Sequence, residues 1–93
     1  MKDIISDIAV IVNKQTGSME ELYREILDGK TYIVFLITDW RDNKLFLKVN
    51  IDDKKFIIKR IDREIFDMEI LLDMLFYLVN TANFKWVTEE NKW

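Results

Sequence analysis

The sequence predicts a single α+β domain spanning residues 1–93, in which a three-stranded antiparallel β-meander lies between helices. Three observations predict this class. Runs of β-branched and aromatic residues occupy the middle of the chain, apolar residues recur with helical spacing after it, and polar residues that favour turns separate the runs. A chain of 93 residues buries enough surface for one hydrophobic core and no second domain.

The N-terminal part predicts one helix or two. Apolar residues in the first fifteen positions fit a helical stripe, although the run at 9–12 also suits a strand, and we favour the helix. A second helix is predicted over 19–28. Ser18 and Glu21 match an S-x-x-E capping box, and Gly29 stands where a helix would stop in the left-handed conformation.

Three strands follow, rich in β-branched, aromatic and aliphatic residues and separated by polar turns. The strands are predicted at about 31–38, 45–51 and 55–61. The turns are centred on Asp42-Asn43 and Asp53-Lys54, and each fits a two-residue hairpin connection.

The C-terminal part predicts a long helix over about 63–80 with Asp62 as its N-cap, and a short additional strand at 84–87. One apolar stripe of the helix is expected to face the core. It consists of Ile65, Met68, Leu72, Leu75 and Val79, and it is widened by Phe66, Ile70, Met74 and Tyr77. The three tryptophans have different expected places. Trp40 is expected to pack against Leu45, and Trp86 is expected to pack on the domain. Trp93 is expected to be exposed or bound by a partner.

Two-residue turns would fix the register of the meander. They place Leu36 opposite Val49 and Val34 opposite Ile51 on the core face. The second face then collects six large apolar side chains, which is too many to leave in water. These are Ile33, Phe35, Ile37, Phe46, Ile57 and Ile61.

Two explanations of this second face remain open. The N-terminal helix crosses it and gives a three-layer domain, or another chain docks there or along an unpaired edge strand. In the second case Lys48 and Lys59 form a charged rim. The residues predicted to contact a partner are Ile33, Phe35, Phe46, Lys48, Ile57, Lys59 and Trp93.

The composition disfavours an active site. The chain contains no His, Cys or Pro and only two Gly, and His and Cys are the residues most often used for proton transfer, nucleophilic attack and soft-metal ligation. The acidic pairs at 52–53 and 89–90 lack EF-hand spacing, and neither glycine belongs to a nucleotide-binding motif. We therefore predict no catalytic residue, no metal ligand and no cofactor.

Charge and hydropathy narrow the choice of partners. Seven basic and three acidic residues lie between 44 and 63, although the net charge of the chain is −3. This segment is either a solvated hairpin or a nucleic-acid contact, and the acidic remainder disfavours the latter. Apolar runs are too short or too interrupted to cross a membrane, and the first residues do not resemble a secretory signal. A chain without cysteine suits the cytoplasm, where we expect it.

The layout of a short acidic chain with an N-terminal helix, a β-meander and a C-terminal helix is similar to that of several phage-encoded inhibitors of host enzymes, including some inhibitors of CRISPR effectors. This resemblance rests on size, charge and layout. We predict a small non-enzymatic protein-binding domain, a phage or bacterial inhibitor or adaptor that docks through a sheet face or edge. The alternatives are a structural homo-oligomer that uses the same face, and a nucleic-acid-binding module that uses the basic 44–63 hairpin.

Overall fold

The computed structural model of the chain describes residues 3–60 and 66–87 and confirms the α+β class. Helix α1 precedes a four-stranded meander, and helix α2 follows it. The elements are α1 (Ile4–Lys14), β1 (Ser18–Leu27), β2 (Lys30–Thr38), β3 (Lys44–Asn50), β4 (Lys55–Arg60), α2 (Met68–Phe76), a π-helical segment (Tyr77–Thr81) and β5 (Lys85–Trp86). The sheet order is β1-β2-β3-β4-β5. Neighbouring strands are antiparallel except β5, which runs parallel to β4.

Both described helices contribute to one core on one face of the sheet. The α1 residues Ile8 and Val12 and the α2 residues Ile70 and Met74 are fully buried. They belong to the same cluster as alternate residues of the central strands, which share one face because side chains alternate along a strand. The strand members of this cluster are Ile33, Phe35, Ile37, Leu45, Leu47, Val49 and Phe56. The described part of the chain therefore forms two layers.

The prediction of a helix over 19–28 is wrong, because this segment is the edge strand β1. Asp28 and Gly29 both have positive φ, 53° and 77°, as a two-residue type I′ hairpin turn requires. The turn returns the chain directly into β2, and pairing from Ser18 to Leu27 replaces the hydrogen bonds that a helix would have made. A register shift between Glu21 and Tyr23 marks a β-bulge in β1.

The predicted register between β2 and β3 is also wrong. Phe35 lies opposite Leu47 and Ile37 opposite Leu45, because residues 39–43 form a longer loop than the two-residue turn expected at Asp42-Asn43. The resulting shift is an odd number of residues, and an odd shift exchanges the two faces of a strand. Ile33, Phe35 and Ile37 consequently lie in the core, where the prediction placed Val34 and Leu36.

The loop at 39–43 is organised by the buried carboxylate of Asp39. Its Oδ1 accepts hydrogen bonds from the backbone N–H groups of Arg41 and Asn43, at 2.9 and 2.8 Å. Its Oδ2 accepts from Nδ2 of Asn43 at 3.1 Å and from the backbone N–H of Asp67 at 3.0 Å. The last bond ties the loop to the residue before α2. One buried side chain thus fixes both the hairpin and the start of the helix.

Helix α2 begins later than predicted, with Asp67 as its N-cap. The Oδ1 atom of Asp67 accepts from the backbone N–H groups of Glu69 and Ile70, and its Oδ2 accepts from Nε1 of Trp40 at 2.8 Å. The prediction that Trp40 packs in the core against Leu45 is therefore wrong, because Trp40 is 58% exposed. The predicted cap Asp62 lies outside the described residues.

The other strand predictions fare better. Strands β3 and β4 match the predicted ranges within one residue, and the expected strand at 84–87 is present as β5. Trp86 packs on the domain as predicted. Its ring stacks on that of Phe56 at a centroid distance of 6.2 Å, although it remains 47% exposed. Ile61 lies outside the described residues.

Gly17 occupies the junction where α1, β2 and α2 meet, directly after the left-handed residue Thr16. A Cβ on Gly17 would lie 2.8 Å from the carbonyl oxygen of Thr38 and 2.9 Å from Cγ1 of Val12. No side chain fits there unless backbone or core atoms move.

We expect Gly17→Ala to lower the free energy of unfolding by about 1–3 kcal/mol through overpacking. Gly29→Ala is the matched control, since no atom lies within 4 Å of its added Cβ and only the positive φ is strained, at about 1 kcal/mol. Urea unfolding followed by circular dichroism measures both. Equal stability of Gly17→Ala and the parent would contradict the close approach of α1 and β2.

Candidate protein-binding surfaces

The structure divides the residues that the sequence predicted to contact a partner. Ile33 and Phe35 are each 1% exposed and lie in the core, so the prediction that they form a docking surface is wrong. The cause is the register shift described above. Lys48, Ile57 and Lys59 lie near one another on the opposite face, together with Phe46. Trp93 lies outside the described residues.

We call this opposite side of the sheet the outer face. It consists of three rows of cross-strand neighbours on β1, β2, β3 and β4. The rows are Glu20–Leu36–Phe46–Lys59, Tyr23–Val34–Lys48–Ile57 and Glu25–Tyr32–Asn50–Lys55. The explanation in which the N-terminal helix covers this face is wrong, because α1 buries Ile8 and Val12 in the core on the other side.

The outer face is apolar in its middle apart from Lys48 and Asn50, and it is charged at its sides. Val34 and Ile57 are only 7% and 4% exposed, and Leu36 and Phe46 are half-buried. Acidic residues stand at the β1 end of two rows, and lysines stand at the β4 end of the same rows. The charges of the outer face are therefore segregated across the strands.

A second apolar surface lies on the exposed side of α2, which sequence reasoning assigned to the core. We call it the α2 stripe; it consists of Met68, Leu72, Phe76 and Val79. Their exposed fractions are 48%, 55%, 66% and 39%. Met68, Leu72 and Phe76 are four residues apart and share one side of α2. Val79 follows in the π-helical segment and lines the same groove as Leu72 and Phe76. The predicted inward stripe is thus wrong for Met68, Leu72 and Val79, and Ile65 lies outside the described residues.

The buried side of the helix carries Ile70 and Met74, which were predicted to widen the inward stripe, together with Leu71 and Leu78. Between Met68 and Phe76 only Glu69 and Asp73 are charged, so the helix is apolar on nearly every side. Periodicity alone cannot choose the inward side of such a helix. The sequence did contain one signal of an exposed apolar surface, namely the excess of apolar residues on this helix, because a two-layer domain buries only one side of a surface helix.

The surroundings of the α2 stripe form a shallow groove with an acidic flank. A groove of about 450 Å³ runs along Leu72, Leu75, Phe76 and Val79, with Asp73 and Asn80 at its border. The Asp73 carboxylate accepts a hydrogen bond from Nε2 of Gln15 at 2.8 Å. Val10 of α1 is a further exposed apolar side chain, at 64%.

A larger cleft of about 690 Å³ lies beside the N-terminus of α1. Its polar lining is largely satisfied by its own neighbours. Arg24 makes a two-pronged contact with Glu21, and the Tyr77 hydroxyl donates to the Asp7 carboxylate at 2.6 Å. Burial and the Asp7 carboxylate raise the pKa of Tyr77 to about 12, so the phenol stays protonated and cannot act as a base at neutral pH.

No group of three or more acidic residues among positions 3–60 and 66–87 is arranged to hold a metal ion. In the same ranges, neither helix has the length and hydropathy needed to cross a lipid bilayer. No protein-family model, curated protein or solved structure matches this chain.

Proposed function

We propose that this chain is a small non-enzymatic protein-binding domain, acting as an inhibitor or adaptor, and that its partner docks on the α2 stripe. The observation that carries the proposal is a ridge of four large apolar side chains, each 39% to 66% exposed, along α2 and the π-helical segment that follows it. Scattered apolar residues are ordinary on a protein surface, whereas a contiguous ridge is typical of an interface.

The anchoring of α2 supports this role. Ile70, Met74 and Leu78 fix the opposite side of the helix in the core, and Asp67 caps its first turn. The stripe is therefore held in place before a partner arrives, which lowers the entropy cost of binding. A ridge of this kind suits an apolar groove or a second amphipathic helix on the partner.

The flanking charges define the chemistry of the partner. Glu69 and Asp73 stand beside the stripe, and the described part of α2 contains no basic residue. A partner surface with apolar pockets and a basic rim is complementary to this pattern. The stripe thus favours a partner protein with an exposed groove that is apolar inside and basic at its rim.

Phe76→Gln tests the proposal, because it removes the most exposed side chain of the stripe. We expect this change to alter the free energy of unfolding by less than about 1 kcal/mol. In affinity capture from the lysate of the native host, a protein retained by the parent should fall to about a tenth or less with Phe76→Gln. Ile26→Gln is the matched control, since Ile26 is 70% exposed on β1, and it should retain the same protein at the parental level.

Two results would contradict the proposal. One is equal retention by the parent and by Phe76→Gln. The other is a loss of stability in Phe76→Gln as large as that of a core substitution, because this would place the stripe inside the folded chain. Once the retained protein is purified, Glu69→Lys should weaken its binding and reduce the salt dependence of that binding.

A further inference from the structure

We propose that two copies of this chain associate through their outer faces, about a two-fold axis that runs parallel to the strands. This proposal uses a different surface from the α2 stripe. It rests on the order of charges in the rows of the outer face. Glu20 and Lys59 end one row, and Glu25 and Lys55 end another.

The two ways of stacking these faces differ in whether the charges that face each other attract or repel. An axis parallel to the strands reverses the order of the strands and keeps the height of each row. The second copy's β4 then lies over β1, so Glu20 faces the second copy's Lys59, and Glu25 faces its Lys55. The symmetry repeats both pairs, as an isologous interface requires.

An axis perpendicular to the strands gives the opposite result. It places β1 over β1 and reverses the rows, so Glu20 would face the second copy's Glu25. Lys55 would likewise face the second copy's Lys59. Like charges repel across such a gap, and the outer face is therefore complementary to itself in one orientation only.

In the favoured orientation one row of the interface is apolar at its centre, and in the next row Lys48 lies over the second copy's Val34. Leu36 lies over the second copy's Phe46, and both side chains are half-buried in the single chain. Sheets that pack face to face lie about 10 Å apart, which is the distance that interleaved side chains of this size fill. The row of Leu36 and Phe46, apolar in its middle and with paired charges at its sides, has the ordinary arrangement of a protein interface.

The area of the face sets the expected strength. Four strands about 4.8 Å apart and about 20–30 Å long cover on the order of 500 Å² per copy. This is near the lower end for a specific interface, so we expect reversible dimerisation with a dissociation constant on the order of 10–100 µM.

The dimer would have a functional consequence. Stacking the outer faces leaves the helices on the outside of both copies, so each dimer presents two α2 stripes. A partner that is itself repeated or dimeric would then be held by both stripes, which raises the apparent affinity without any new contact.

Charge reversal on the full chain, followed by sedimentation equilibrium, tests this arrangement. We expect Glu20→Lys/Glu25→Lys and Lys55→Glu/Lys59→Glu each to weaken self-association by roughly 30-fold or more. An equimolar mixture of the two variants should associate at least as tightly as the parent, since every facing pair is again of opposite sign. Phe76→Gln should dimerise like the parent, which separates this interface from the α2 stripe.

A parent that stays monomeric to about 1 mM would overturn the proposal, as would reversed variants that dimerise like the parent or a mixture that fails to associate. Circular dichroism verifies the fold of each variant. If a reversed variant is unfolded, the neutral variant Glu20→Gln/Glu25→Gln replaces it, with an expected weakening of about tenfold. Dimerisation of the parent should also weaken as salt rises from 50 to 500 mM, and a salt-independent dimer would contradict the charge pairing.

Discussion

Replacement of Phe35 by alanine will lower the free energy of unfolding by about 3–5 kcal/mol, whereas Leu36→Ala will lower it by less than about 2 kcal/mol. Phe35 is 1% exposed and belongs to the core on the helix side of the sheet. Leu36 is the next residue and points to the outer face, where it is half-buried. Truncation of Phe35 therefore leaves a buried cavity, whereas truncation of Leu36 leaves a surface depression that water can fill.

Urea unfolding at neutral pH measures this difference, with fluorescence and circular dichroism as two probes of the same transition. Leu47→Ala is the matched control, because Leu47 is fully buried opposite Phe35 and should also be costly. A larger loss for Leu36→Ala than for Phe35→Ala would support the register that two-residue turns imply. The experiment thus decides which face of β2 is the core.

The comparison of these neighbours shows what the sequence determines about the sheet. Strands β3 and β4 were predicted within one residue, because each is a compact run of β-forming residues between polar turns. Which side of a strand lies in the core depends instead on the length of the connecting loops. The loop at 39–43 is held by Asp39 through contacts that include Asp67, which is 28 residues away, and no local pattern reveals such a bond.

The first hairpin shows a conflict between local signals. The segment 19–28 carries a capping box and apolar pairs at helical spacing, yet Asp28-Gly29 is also a strong hairpin signal. Propensity is a weak preference that pairing with a neighbouring strand overrides. The hairpin signal was present in the sequence, and its weight depended on β2 being available as a partner.

The candidate surfaces were predictable in part for the same reason. An excess of apolar side chains over what one layer of helix can cover was visible in the sequence, and it left open whether a second helix or another chain covers them. Which residues carry the excess depended on the register of β2 and on the inward side of α2. Phe46 kept its predicted place on the outer face, whereas Met68 and Leu72, which were expected in the core, are exposed on α2.

Asp39→Asn will lower the free energy of unfolding at pH 7 by about 2–4 kcal/mol, because charge-assisted hydrogen bonds are among the strongest in proteins and the site is buried. Asp39 is 4% exposed, and its two oxygens together accept four hydrogen bonds. The asparagine amide nitrogen would face N–H donors in place of one of these oxygens. Both the loop at 39–43 and the start of α2 should loosen together.

The pH dependence of stability separates the effect of the charge of Asp39 from the effect of its side-chain shape. Burial alone would raise the pKa of Asp39, but the hydrogen bonds from Asn43, Asp67 and Arg41 outweigh it and lower the pKa below its usual value. Hydrogen bonds from Ile70, Trp40 and Glu69 likewise lower the pKa of Asp67. A group with a lowered pKa in the folded state contributes stability above its unfolded value, about 3.9, and loses it as the pH falls through the folded value.

We therefore expect the parent to lose stability as the pH falls below about 4, and Asp39→Asn to lose less over the same interval. Part of the dependence should remain in the variant, because Asp67 still titrates. Asp28→Asn is the control, since it removes an exposed carboxylate at a positive-φ turn position that asparagine tolerates, and its free energy of unfolding at pH 7 should equal that of the parent. Parallel curves for the parent and Asp39→Asn between pH 5 and pH 2.5 would show that the charge of Asp39 does not hold the loop and α2 together.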